Sequence, residues 1–210
     1  MKKLRLTFLV VVLMVATVAS AQLSWGVQGG LNLSNIVINN DFTSPKPKIG
    51  FNAGILTDFG ITHNMGIRSG LFFTTKGFRI GEFAMENILG IHTTPQQTIN
   101  LMYLQIPVHF ARKVDVTPDT RIVFHGGPYV AYGIGGSWRV GNERTEHAVF
   151  GSNGYKPFDF GFGGGVGFEF GHNILINIGW DMGLLNISTQ SQAGESIRTQ
   201  NAFLAVGYRF

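Results

Sequence analysis

From Phe158 to Leu185 the chain reads FDFGFGGGVGFEFGHNILINIGWDMGLL, and its residues alternate in character with a period of two. Phe158, Phe160, Phe162, Val166, Phe168 and Phe170 share one parity, with Gly164 the only gap. Asp159, Gly161, Gly163, Gly165, Gly167 and Glu169 hold the other. After Gly171-His172-Asn173 the pattern resumes, with Ile174, Ile176, Ile178, Trp180, Met182 and Leu184 opposing Leu175, Asn177, Gly179, Asp181, Gly183 and Leu185. Successive side chains of a strand point to opposite faces, so the stretch predicts a hairpin with one oily face and one small or polar face. Strands of soluble proteins run to about 5–6 residues, whereas these approach the ~9–11 tilted residues that cross a bilayer. The oily face is the continuous one. A greasy outside around a polar inside is the pattern of a transmembrane β-barrel.

Six further segments alternate in the same way: Leu23–Ser34, Lys48–Phe59, Met65–Lys76, Thr98–Lys113, Arg121–Gly135 and Asn201–Phe210. With the hairpin they make eight. The connections are sorted by length. Asn35–Pro47, Gly77–Gln97, Gly136–Pro157 and Asn186–Thr199 are long and polar, while Gly60–Asn64, Val114–Thr120 and Gly171–Asn173 are short. Strict alternation of long and short connections places all long loops at one end. The expected fold is therefore all-β: an eight-stranded antiparallel up-and-down transmembrane barrel with four long extracellular loops and three short periplasmic turns.

The chain's start has a different character. Lys2, Lys3 and Arg5 precede the apolar run Leu6–Val18, and Ala19-Ser20-Ala21 has the small-residue form of a cleavage site. Residues 1–21 are expected to be a secretory signal peptide, cut before Gln22, with 22–210 forming one barrel domain. Without those three residues the sixteen basic residues become thirteen against twelve acidic, so the net charge falls from +4 to +1. The basic balance then gives no argument for nucleic acid. The absence of Cys excludes disulfides, thiolate chemistry and a lipobox anchor.

The inward parity gathers Asp58, Arg68, Lys76, Arg121, Asp159, Glu169, Asp181 and Arg209, four charges of each sign. An eight-stranded barrel is just wide enough for its own side chains, and buried charges must pair. These eight are expected to form a lumen charge network, with Arg121 as the first partner of Glu169. His109 and His125 share that parity on neighbouring strands, where they are expected to stand opposite each other and could hold a metal with Glu169; lumen hydrogen bonding is the plainer role. An enzymatic alternative would use His63 or His92 with Ser69 or Ser152, but no nucleophile, base and acid converge along the chain. The glycine runs Gly161–Gly167 and Gly133–Gly136 open no helix and carry no Gly-Lys-Ser/Thr, so no phosphate loop or cofactor is expected. Phe83, Ile88, Leu89, Trp138, Phe150 and Tyr155 lie in the long connections, where they would meet a partner, pack on each other or sit at the membrane interface.

Several stretches resemble known sequences. The alternating end Leu204, Val206, Tyr208 and Phe210 resembles the C-terminal signature read by the barrel assembly machinery. Gly70-Leu71-Phe72-Phe73-Thr74-Thr75-Lys76-Gly77, Tyr103-Leu104-Gln105-Ile106-Pro107-Val108, Gly126-Gly127-Pro128-Tyr129 and the Gly-rich sixth strand resemble the PorT-like outer-membrane β-barrel family of Bacteroidota. Gln105 stands where that family's pattern carries Glu. The resemblance implies an OmpA/OmpX-like eight-stranded barrel in the Gram-negative outer membrane, surrounded by lipid, and its namesake is associated with secretion to the cell surface. The function expected is a non-enzymatic outer-membrane barrel that presents loops to a surface or secretion-system protein. An outer-membrane lipid-modifying enzyme and a soluble periplasmic ligand-binding barrel are the alternatives.

Overall fold

The computed structural model describes residues 22–38, 45–80, 97–141, 143–145, 149–151, 154–171, 173–189 and 196–210. The expected signal peptide lies outside them, as do His92, Ser152, Phe83, Ile88 and Leu89. The described chain forms nine strands and no helix: β1 (Gln22–Ile38), β2 (Pro45–Thr62), β3 (Met65–Ile80), β4 (Gln97–Thr117), β5 (Thr120–Val140), β6 (Glu143–Thr145), β7 (Phe158–Phe170), β8 (Ile174–Gly183) and β9 (Ile197–Arg209). Eight pair antiparallel in one closed ring, since β1 meets both β2 and β9 and β5 meets both β4 and β7. The short β6 folds back on the end of β5. Closure leaves no sheet edge, which a barrel in lipid requires because the bilayer core offers backbone groups no partner.

Alternation sets the register. Val166, Ile178, Leu204, Leu31 and Phe51 stand side by side across five strands on the outer wall. Ile178, Leu204, Leu31 and Phe51 are each more than half exposed. Apolar side chains turned outward around buried Asn, Asp, Arg and Lys invert the soluble arrangement and suit a hydrocarbon surround.

The strands exceed the expected spans at the long-loop end. Asn35–Ile38 continues β1 against Gln200–Ile197, and Gly136–Val140 continues β5 against Leu101–Gln97. At the other end Val114–Thr120, expected as a turn, is mostly ladder. Asp115 pairs with Arg121 and Thr117 with Thr120, so the turn shrinks to Pro118-Asp119. The β7–β8 turn is reached through Gly171, at φ 56°, a left-handed conformation that only glycine adopts freely.

Four register shifts interrupt the ladders, and the two bulges towards the long-loop end break the parity that the sequence suggests. One lies in β2 between Pro47 and Asn52, the other where Met102 and Tyr103 face Gly135 and Gly133. An inserted residue reverses the faces beyond it. Above the second bulge Trp138 consequently packs inward while Arg139 points out.

Candidate functional site

The lumen is filled in three layers. At the long-loop end it is apolar: Ile36, Phe78, Ile99, Leu101, Tyr103, Tyr129 and Ala131 line the wall, and Val149 and Ile187 descend from the loops to join them. Phe150 and Tyr155 pack on this cluster, with Phe150 edge-on to Tyr103 at 5.4 Å and Tyr155 edge-on to Phe78 at 6.2 Å. Gly133 makes room for Phe150, whose ring lies 2.3 Å from where a Gly133 Cβ would stand. Backbone bonds from Gly133 N to Pro157 O (2.7 Å), Tyr155 N to Val149 O (2.9 Å) and Lys156 N to Ile187 O (2.7 Å) hold the loops in the mouth. Burial pushes the Tyr155 phenol up to about 12, so it stays protonated. Of the roles open to the loop aromatics, Trp138, Phe150 and Tyr155 take the packing one.

Beneath this cap sits a polar middle layer. Lys76 is fully enclosed, its Nζ donating to Tyr129 Oη (3.3 Å) and Asp159 Oδ2 (3.4 Å) and lying 4.4 Å from the Tyr129 ring centre. Thr199 Oγ1 and Tyr129 Oη also donate to Asp159 Oδ2, at 2.8 and 3.2 Å. Asp181 accepts from Gln105 Nε2 at 3.0 Å. A Glu at position 105 would instead set two carboxylates against each other. The layer surrounds a cavity of about 60 Å³. Asn52 Oδ1, Gln105 Oε1, His109 Nε2 and Asn201 Oδ1 are buried beside it without a protein partner. Such a space is roomy and polar enough for a few water molecules.

His109 and His125 meet in this layer, but diagonally. The residue facing His125 across the ladder is Ala111, yet the rings stack at 5.1 Å and Nδ1 approaches Nδ1 at 2.9 Å. His125 Nε2 contacts Asn177 Oδ1 at 2.9 Å. Glu169, the third ligand a metal would need, has both oxygens engaged elsewhere. No group of three or more His, Asp and Glu suited to a metal ion is found among the described residues.

The third layer, towards the short-turn end, is a ring of alternating charge. Arg68 from β3 grips Asp58 of β2 through Nε (2.8 Å) and Nη2 (3.0 Å), and Nη2 also reaches Glu169 Oε1 of β7 (2.9 Å). Arg209 of β9 completes it, with Nη1 to Glu169 Oε2 at 2.8 Å, Nη2 to Glu169 Oε1 at 2.7 Å and Nη2 to Asp58 Oδ2 at 2.5 Å. Two carboxylates and two guanidinium groups cancel, and each charge is hydrogen-bonded, as buried ions require. Below the ring a vestibule of about 660 Å³ opens past Ser24, His63, Lys113 and Arg121.

Arg121 departs from expectation. Its backbone does lie opposite Glu169, but its guanidinium turns to Asp115, with Nε 2.6 Å from Oδ1, in a partly exposed pair. The reason is the longer β4–β5 ladder, which brings Asp115 level with Arg121 at the rim, while Arg68 and Arg209 already saturate Glu169. His63 also pairs with Asp115, at 3.2 Å. Ser69 donates to Pro107 O at 2.7 Å. His63 and Ser69 are therefore committed to different partners and assemble no nucleophile and base. Leu204, Val206, Tyr208 and Phe210 all face outward on β9 and its end, and Phe210 N donates to Trp25 O (2.9 Å) across the β1 seam.

Residues 18–189 match a family model described as an outer membrane protein beta-barrel domain. Among solved structures the chain is similar to the attachment invasion locus protein Ail of Yersinia pestis, at 14% identity over 89% of this chain and 98% of that one, TM-score 0.45. It is similar to Neisserial surface protein A at 12% identity, covering 89% and 97%, TM-score 0.49. It is also similar to OprG from Pseudomonas aeruginosa at 10% identity, covering 89% and 95%, TM-score 0.46. No curated protein matches its sequence.

Proposed function

The chain belongs to the outer membrane protein beta-barrel domain family, and from that membership we propose that it works as a closed, non-enzymatic outer-membrane scaffold. In this reading the short-turn end faces the periplasm and the long-loop end faces outward. The capped mouth is a platform that presents loops to a surface or secretion-system protein, in a PorT-like role. The chain would reach the membrane after cleavage before Gln22 and be assembled through its Leu204, Val206, Tyr208 and Phe210 end by the barrel assembly machinery.

The observation that carries the proposal is the double closure of the lumen. An ion entering from the vestibule meets a neutral, fully hydrogen-bonded ring of Asp58, Arg68, Glu169 and Arg209. Beyond the small middle cavity it meets a cap of Phe78, Ile99, Leu101 and Tyr103 with no measurable exposure. A path would require separating desolvated charges and opening an apolar cluster in the same event. A barrel closed in this way has its outer wall and its mouth left with which to act.

Purified, heat-modifiable barrel in planar bilayers should show no steady conductance. Cells lacking it should keep their small-solute permeability and deliver less of an exported protein to their surface. A stable open channel in the wild-type protein would refute the scaffold reading.

A further inference from the structure

On the outer wall, the two bulges mark a change of chemistry. At and just below them β2 presents Ile49 and Phe51 and β5 presents Tyr132 and Ile134, all half-exposed or more and apolar. Above them the same wall turns basic. Lys46 pairs in register with Arg79, Arg79 with Thr98, and Thr98 with Arg139, so one row crosses four strands. Lys46, Arg79 and Arg139 are exposed. They point outward because their neighbours Phe78, Ile99 and Trp138 point into the apolar cap.

Lys48 joins them from the β2 bulge. Its stem crosses Gly77, with Cδ 3.2 Å from where a Cβ on that glycine would stand. Its ammonium then donates to Asn100 Oδ1 at 2.9 Å, close enough to Arg79 and Arg139 to be repelled by both. Among the described residues, none of these four cations forms an ion pair with a carboxylate. Four like charges held together on one wall cost energy unless an anion sits among them.

We infer that this patch seats the head of an outer-leaflet lipid carrying more than one phosphate. Three features favour a lipid. The patch lies on the outer wall, directly above the apolar belt where acyl chains would run. Among the described residues the charges of the row are all positive, Glu143 standing opposite Val140 on β6 and outside the row. With strands about 4.8 Å apart, Arg79 and Arg139 are separated by about 10 Å, so a single phosphate would engage one end of the row and leave the other unmet. Arg suits such a ligand because its planar fork takes phosphate oxygens in pairs, and Lys adds point charge. The inference rests on the outer-membrane placement of the chain but not on the scaffold role.

The test uses the full barrel refolded into phosphatidylcholine vesicles containing equal small fractions of a diphosphorylated glycolipid and phosphatidylglycerol. Bound lipid is then counted by native mass spectrometry after detergent extraction. Wild type should retain the glycolipid at least tenfold over phosphatidylglycerol, and Arg79→Gln/Arg139→Gln should lose at least fivefold of that retention. Arg112→Gln, outward on the same wall at the short-turn end, should change nothing. Heat modifiability, read on every sample, reports insertion separately, so a failure of membrane placement is distinguishable from a failure of lipid choice. Equal retention of the two lipids, unchanged retention in the double variant, or displacement by equimolar inorganic pyrophosphate would each overturn the inference.

Discussion

Glu169 is the residue on which the lumen ring is most exposed to test. It is 2% exposed and accepts three charge-assisted hydrogen bonds, from Arg68 Nη2 (2.9 Å) and from Arg209 Nη1 and Nη2 (2.8 and 2.7 Å). Glu169→Ala would leave two guanidinium groups around the single carboxylate of Asp58. Removing one member of a buried ion cluster costs about 3–5 kcal/mol, chiefly because the remaining charge is stranded. The choice of second variant carries the structural content. Arg209→Met on the Glu169→Ala background restores neutrality, leaving Asp58 with its bidentate Arg68, and should recover about 1–3 kcal/mol of that loss. Arg121→Met should recover nothing, since Arg121 is held by Asp115 at the rim. Urea unfolding of the refolded barrel in vesicles, followed by tryptophan emission with the heat-modifiable gel shift as a second probe, measures all four proteins. If Glu169→Ala costs less than about 1 kcal/mol, the ring is not the buried, dehydrated cluster described above. If Arg121→Met rescues as well as Arg209→Met, the assignment of partners is wrong.

Two further outcomes test the outer wall and the lumen packing in turn. Ile178→Arg, at the centre of an outward row between Val166 and Leu204, should cost about 2–4 kcal/mol in vesicle unfolding; tolerance equal to that of Arg at the rim residue Val116 would overturn the lipid-facing assignment. Gly163→Ala places a Cβ 2.1 Å from Asp181 Oδ1 and should cost about 1–3 kcal/mol by overpacking, so a neutral result there would mean that Asp181 is not fixed where the lumen packing puts it.

The period of two was enough to read the eight strands, their faces and the closed barrel, because it is a property of the strand itself and lipid on one side keeps that face uniformly apolar. The same parity points to Asp58, Arg68, Lys76, Asp159, Glu169, Asp181 and Arg209, all of them buried, but also to Arg121, which lies at the rim. What parity cannot carry is anything that depends on an inserted residue or on side-chain reach. The bulges at Pro47/Asn52 and Met102/Tyr103 leave no mark in a sequence that continues to look like loop, so the inward turn of Trp138 and the outward basic row went unread. The partner of Glu169 was misassigned because register fixes backbones, whereas Arg209 spans from one strand to carboxylates on two others. His109 and His125 meet through a diagonal stack that no direct-opposite count would find. Val114–Thr120 looked like a turn because its polar residues are equally suited to a ladder that has left the membrane.

Arg209 also gives the ring a place in the order of assembly. It stands on β9, and its backbone pairs with Gly26 of β1, the one seam that joins opposite ends of the described chain; every other seam in the ring joins strands close in sequence. In a ribbon still open at that seam, Asp58 and Arg68 stand opposite each other on β2 and β3, and β9, already paired with β8, carries Arg209 two strands from Glu169 of β7. Each half of the sheet then holds one neutral pair. Closing the seam brings Arg209 to Asp58 and Arg68 to Glu169, so zipping the two edges together joins two balanced pairs into one ring.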